Sequence, residues 1–144
     1  MASKESPQTM KKLTATAESE SPKRTRVESG DVEITVGAPA SPLQHLFAAF
    51  AGCINATGHQ VAREMDVCID HLEIGLEGGY DPAVFMGENT DDRAGFHEFE
   101  IEVDVDSDAD RETLETWLDE VERRCPVSDN LQAETPTSLS LETR

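Results

Sequence analysis

The chain has 144 residues, enough for one domain with a real core, and a formal net charge of -18 that sets its isoelectric point near 4.4. A field this negative repels phosphate backbones and anionic membrane surfaces, so neither nucleic acid nor a membrane is expected as a partner. All four lysines (Lys4, Lys11, Lys12 and Lys23) fall near the N-terminus while acids run throughout, a composition expected of a halophilic cytoplasm, where a Debye length of about 3 Å screens the repulsion. No stretch approaches the ~20 apolar residues of a membrane span, and MASKESPQTMKK has no apolar signal core, so a cytoplasmic protein is expected. Three cysteines without paired spacing do not make a secreted disulfide framework; they read as free, catalytic or redox-active thiols.

In chain order, residues 1–12 read as a flexible N-terminus and 13–144 as a single domain. LTATAESE, KRTRVES and DVEITVG, separated by Ser-Pro and Ser-Gly, predict two or three strands of a meander. At Ser41 the period becomes helical. Ser41 with Gln44 forms an S-x-x-Q capping box, and Pro42 occupies the first helical position. Leu43, Leu46, Phe47, Phe50, Ile54, Val61 and Met65 then mark one buried stripe over about six turns. Gly52 and Gly58 weaken this helix by roughly 1 kcal/mol each, which points to close approach of another element at both.

VCIDHLEIGLEGGY predicts a strand ending at Gly78 and Gly79, with Leu72, Ile74 and Leu76 alternating against polar residues. After a polar loop around MGENTDDRAG, FHEFEIEVDVDSD alternates Phe99, Ile101, Val103 and Val105 with acids, a strand with one core face and one solvated face. ADRETLETWLDEVERRCPV predicts a second amphipathic helix along Leu114, Trp117, Leu118 and Val121, with Cys125 continuing the stripe and Pro126 stopping it. TSLSLETR predicts a closing strand through Leu139 and Leu141. The layout is α+β, with helices on one face of mainly antiparallel sheet.

Cys53 projects with the apolar stripe of the long helix and Cys125 with that of the second helix, so both thiols face one interior. Each can be a small buried hydrophobe or a reagent. As a reagent Cys53 needs a cation to favour its thiolate, because three turns separate it from the capped helix start and the dipole fades within one. The candidates are Lys23, Arg24 and Arg26, or Arg123 and Arg124 beside Cys125. Cys68, without a basic neighbour in sequence, reads as structural. His45 and His59 stand roughly 21 Å apart along the helix and cannot share a zinc ion. No metal, nucleotide or dinucleotide motif is present, so those readings lack support.

The segment S-P-L-Q-H-L-F-A-A-F-A-G-C and the later R-R-C-P-V-S-D-N-L resemble the OsmC/Ohr family, the osmotically inducible and organic hydroperoxide resistance proteins. The resemblance runs from about Leu13 to the C-terminus. It implies an intertwined homodimer with active sites at the subunit interface, and a thiol peroxidase in which Cys53 is the peroxidatic and Cys125 the resolving cysteine. Arg24 or Arg26 would activate Cys53, an organic hydroperoxide would be the substrate, an external small-molecule or protein dithiol would be the reductant, and no bound cofactor would be required. In the hydroperoxide resistance branch the residue after the helix-start proline is a glutamate that holds the activating arginine; here it is Leu43. A noncatalytic dimer that binds a small ligand or responds to redox state is the alternative, and a thiol-dependent hydrolase or transferase a third.

Overall fold

The computed structural model describes residues 10–88 and 91–144. The flexible segment expected over residues 1–12 falls mostly outside that range, as do residues 89 and 90 of the expected polar loop. The chain divides into two units, Met1–Leu46 and Phe47–Arg144.

In the first unit the three Thr- and Val-containing runs form the meander read from the sequence. β1 (Thr16–Ser21), β2 (Arg24–Ser29) and β3 (Val32–Gly37) pair antiparallel in chain order. Gly37 closes β3 at φ +114, a conformation that favours glycine, and a Cβ there would overlap the Lys23 carbonyl. The long helix α1 (Pro42–Glu64) then begins as its capping box dictates. The Ser41 hydroxyl accepts from the Gln44 amide at 3.2 Å, and the Gln44 side chain accepts from the Ser41 amide at 2.9 Å.

In the second unit α1 continues and gives the core Phe50, Ile54, Val61 and Ala62. Strands β4 (His71–Gly78) and β5 (Phe99–Asp106) pair antiparallel in full register. Leu72, Ile74, Leu76, Phe99, Val103 and Val105 turn toward the core, so one face of this sheet is covered. Helix α3 (Arg111–Arg124) starts at Asp110, whose carboxylate accepts from the Thr113 amide at 2.9 Å, and buries Trp117 and Val121.

Two short helices were not anticipated, and two expectations are corrected. Pro126 ends one helix but starts another, α4 (Pro126–Gln132), because proline suits a first helical position. The same chemistry at Asp81 and Pro82 makes the short helix α2 (Pro82–Phe85) just ahead of the expected loop. TSLSLETR forms no strand: a strand needs a paired edge, and residues 133–144 find none among the described residues, leaving Leu139 and Leu141 exposed. Gly52 meets nothing within 4 Å of a built Cβ, so close approach explains only Gly58.

The outer face of β4 and β5 sets Glu73 opposite Asp104 and Glu77 opposite Glu100, all exposed. Like charges directly opposite one another destabilise a ladder. Thermal unfolding should therefore move to higher temperature as KCl rises from roughly 0.1 M to about 2 M. Glu77→Lys should raise the low-salt midpoint and blunt that dependence. An unchanged midpoint across the salt series would show that these pairs carry no repulsion.

Candidate functional site

The two thiols named from the sequence lie together in the second unit. Cys53 stands midway along α1, half-buried, packed against the core. Cys125 occupies the junction where α3 ends and α4 begins, with extended backbone, and is 1% exposed. Pro126 creates that junction, because the residue before a proline is pushed out of helical conformation. The sulfurs interact and neither is in a disulfide. Burial pushes the Cys125 thiol up from its ordinary value, the adjoining Cys53 sulfur pushes it further, and the Ser128 and Val127 amides pull it partly back. Cys125 is thereby kept protonated and dry while Cys53 keeps a path to solvent. The Cys53 sulfur is the more accessible of the two to a dissolved reagent.

A cavity of about 170 Å³, walled by Ile54, Ile101, Val103, Leu118 and Val121 with Glu122 and Ser128 as its polar members, reaches Cys125. One turn from Cys53 toward the start of α1, Phe50 meets Phe99 edge-on at 5.5 Å, and Phe99 packs on Phe96 at 5.2 Å. The surroundings of the thiols are therefore largely hydrocarbon and aromatic.

One polar neighbour of Cys53 was not singled out by sequence reasoning. Thr57, one turn later on the same face, places its hydroxyl oxygen 4.0 Å from the Cys53 sulfur. The spacing of four residues on a helix is a signal that could have found it.

The four candidate arginines are engaged by carboxylates. In the first unit Arg24 donates to Glu20 at 2.9 Å, and Arg26 reaches Glu18 at 2.8 Å, Glu20 at 3.3 Å and Glu33 at 3.8 Å. In the second unit Arg124 grips Glu64, the last residue of α1, through two parallel bonds of 2.8 and 2.9 Å, and Arg123 pairs with Glu120. Cys68, read as structural at a strand start, instead lies exposed before β4, 3.9 Å from an Asp70 carboxylate oxygen.

The Arg124 fork ties the end of α1 to the residue before Cys125. Its hydrogen bonds hold the Glu64 carboxyl down from 4.5 to about 2. A carboxyl held low in the folded state stabilises the fold above its ordinary value and loses that contribution as pH falls through about 4.5 toward about 2. Glu64→Gln should thus lower the urea midpoint at neutral pH and flatten its decline over that acid window. Equal slopes in both proteins would show that the fork contributes nothing.

Comparison with known proteins places this geometry in a lineage. The chain matches the family of OsmC-like proteins over residues 35–140, most of its length and the whole of the two-cysteine region. The chain belongs to the OsmC-like family. A solved OsmC-like protein from Mycoplasma pneumoniae has a TM-score of 0.75 at 24% identity, covering 86% of this chain and 89% of that one. An organic hydroperoxide resistance protein from Elizabethkingia anophelis has a TM-score of 0.60 at 17% identity, covering 87% and 91%. A third structure, named organic hydroperoxide resistance protein OsmC, from Legionella pneumophila, gives 0.58 at 15% identity, covering 85% and 90%. These identities carry the OsmC-like fold across. No curated protein matches the chain.

Proposed function

We propose that this OsmC-like protein is a thiol-dependent peroxidase that reduces organic hydroperoxides. The observation that carries the reading is the unequal access of two interacting thiols, Cys53 half-buried and Cys125 1% exposed.

The Cys53 thiolate attacks the terminal peroxide oxygen and the O–O bond breaks. The alkoxide takes a proton and leaves as an alcohol, and Cys53 becomes a sulfenic acid. The Cys125 sulfur then displaces hydroxide from the sulfenic sulfur, and its own proton completes a molecule of water as the disulfide closes. An external dithiol exchanges with that disulfide, attacking the more accessible Cys53 sulfur, and leaves as its own disulfide with both protein thiols restored. The hydrocarbon around the thiols favours an alkyl hydroperoxide over hydrogen peroxide. Neighbours named for organic hydroperoxide resistance support the same reading. In this proposal Arg24 or Arg26 is the activating cation, the working unit is a cytoplasmic homodimer, and no resident cofactor takes part. A halophilic source fits the paired acids on the β4–β5 face.

One observation favours a second reading, a noncatalytic dimer that binds a small ligand or senses redox state. Leu43 stands at the second position of α1, where the hydroperoxide resistance branch of the resembled family carries a glutamate.

The reduced protein, treated with one equivalent of cumene hydroperoxide, should lose two thiols as its intact mass falls by two hydrogens. Cys53→Ser should lose none at that rate. The exposed Cys68 supplies an internal reference, and a Cys53 that reacts no faster than Cys68 would sink the peroxidase reading.

A further inference from the structure

We propose that Thr57 is a further catalytic residue of this site, its hydroxyl donating a hydrogen bond to the reacting sulfur of Cys53. The inference rests on the peroxidase reading for its consequence in turnover, but the contact itself is independent of the substrate.

A threonine inside a helix ordinarily turns its hydroxyl back onto the carbonyl four residues earlier. Thr116 does this in α3, donating to the Glu112 carbonyl at 3.2 Å. Thr57 differs, because its hydroxyl lies against the Cys53 side chain, 4.0 Å from the sulfur, at the outer reach of a bond to so large an atom. Both residues are half-buried, so water competes weakly for the contact. A thiolate accepts more strongly than a thiol, so the bond tightens as the sulfur ionises and favours the nucleophilic form. The start of α1 is too far away to help, because the helix dipole acts only within its first turn.

The size of the effect follows from two opposing consequences. A hydrogen bond to a charged group shifts its ionisation equilibrium by about tenfold. The better-solvated thiolate is also a weaker nucleophile, with a Brønsted slope of roughly 0.4–0.5, so the gain in rate at neutral pH is about threefold. Thr57 thus enlarges the thiolate population more than it slows each attack. Among the described residues Cys125 interacts with the Cys53 sulfur, and burial raises the Cys125 thiol above its ordinary value.

The test is alkylation of the full-length reduced protein by iodoacetamide across pH, read by mass spectrometry at Cys53 with Cys68 as internal reference. Thr57→Val keeps the branched shape and loses the hydroxyl. It should slow alkylation of Cys53 at neutral pH about threefold, leaving Cys68 unchanged. Thr57→Ser restores the hydroxyl without the methyl group and should follow the parent profile. The proposal is overturned if Thr57→Val alkylates like the parent, or if Thr57→Ser slows as much as Thr57→Val does. Alkylation needs no peroxide, so a protein inert toward cumene hydroperoxide that still shows the slowing removes the peroxidase reading and keeps the Thr57 contact.

Discussion

Cys125→Ser should stop the reaction halfway. Given one equivalent of organic hydroperoxide, the variant should gain one oxygen atom and lose one thiol, with a sulfenic acid on Cys53 that dimedone captures. Excess peroxide should carry it on to the sulfinic acid, which thiols do not reverse. The parent protein should show neither product, because the Cys125 sulfur adjoins Cys53 and closes the disulfide first. The serine oxygen cannot form that bond. The substitution also puts a hydroxyl where the thiol is 1% exposed, at a cost of about 1–3 kcal/mol if it finds no partner. Cys125→Ala therefore belongs beside it: the two should differ in urea midpoint yet give the same oxidised products. If both accumulate disulfide instead, the resolving partner is another thiol. If neither oxidises faster than Cys68, the pair is core packing and the reagent reading fails.

The parts of this site that were legible in the sequence are those fixed by local chemistry. The Ser41 and Gln44 box forms both of its reciprocal bonds because its four residues need no help from the rest of the chain. The alternation along β5 names its core side for the same reason: its period is written in adjacent residues. Pro126 shows where local reading stops short. Its ring excludes Cys125 from helical geometry, yet equally preorganises the next helix, and Val127 and Leu131, which both pack on the core, supply the apolar spacing that would have announced it. The tail failed for the opposite reason. Leu139 and Leu141 alternate like strand residues, but pairing depends on an edge that no local pattern supplies. Thr57 was missed because threonine carries no catalytic signature of its own, and its interest comes wholly from the cysteine one turn below it.

The largest stability effects should come from the contact that holds the helix ending at Cys125 onto the helix bearing Cys53. Trp117 is 1% exposed, and its indole N–H donates to the Gly58 carbonyl of α1 at 2.8 Å. Trp117→Ala should cost about 3–5 kcal/mol, a large share of the ~5–15 kcal/mol available to a domain. Trp117→Phe keeps much of the packing and loses the hydrogen bond, so it should cost less. Gly58 and Gly52 then give opposite results from one substitution on one helix. Alanine favours a helix interior over glycine by roughly 1 kcal/mol, and at exposed Gly52, with nothing within 4 Å of the new methyl group, that gain should appear in full. At Gly58 the methyl would lie 3.1 Å from the Trp117 ring. A fully buried indole anchored by its own hydrogen bond has little room to retreat, and overpacking costs typically about 1–3 kcal/mol, so Gly58→Ala should lower the urea midpoint while Gly52→Ala raises it. Two gains would mean that the ring moves aside. The same substitutions bear on chemistry, since α3 delivers Cys125 to Cys53: a looser Trp117 contact should slow disulfide closure after peroxide and leave the first oxidation of Cys53 unchanged. Rapid-quench thiol counts on Trp117→Phe separate those two steps, and equal slowing of both would place the effect at Cys53 itself.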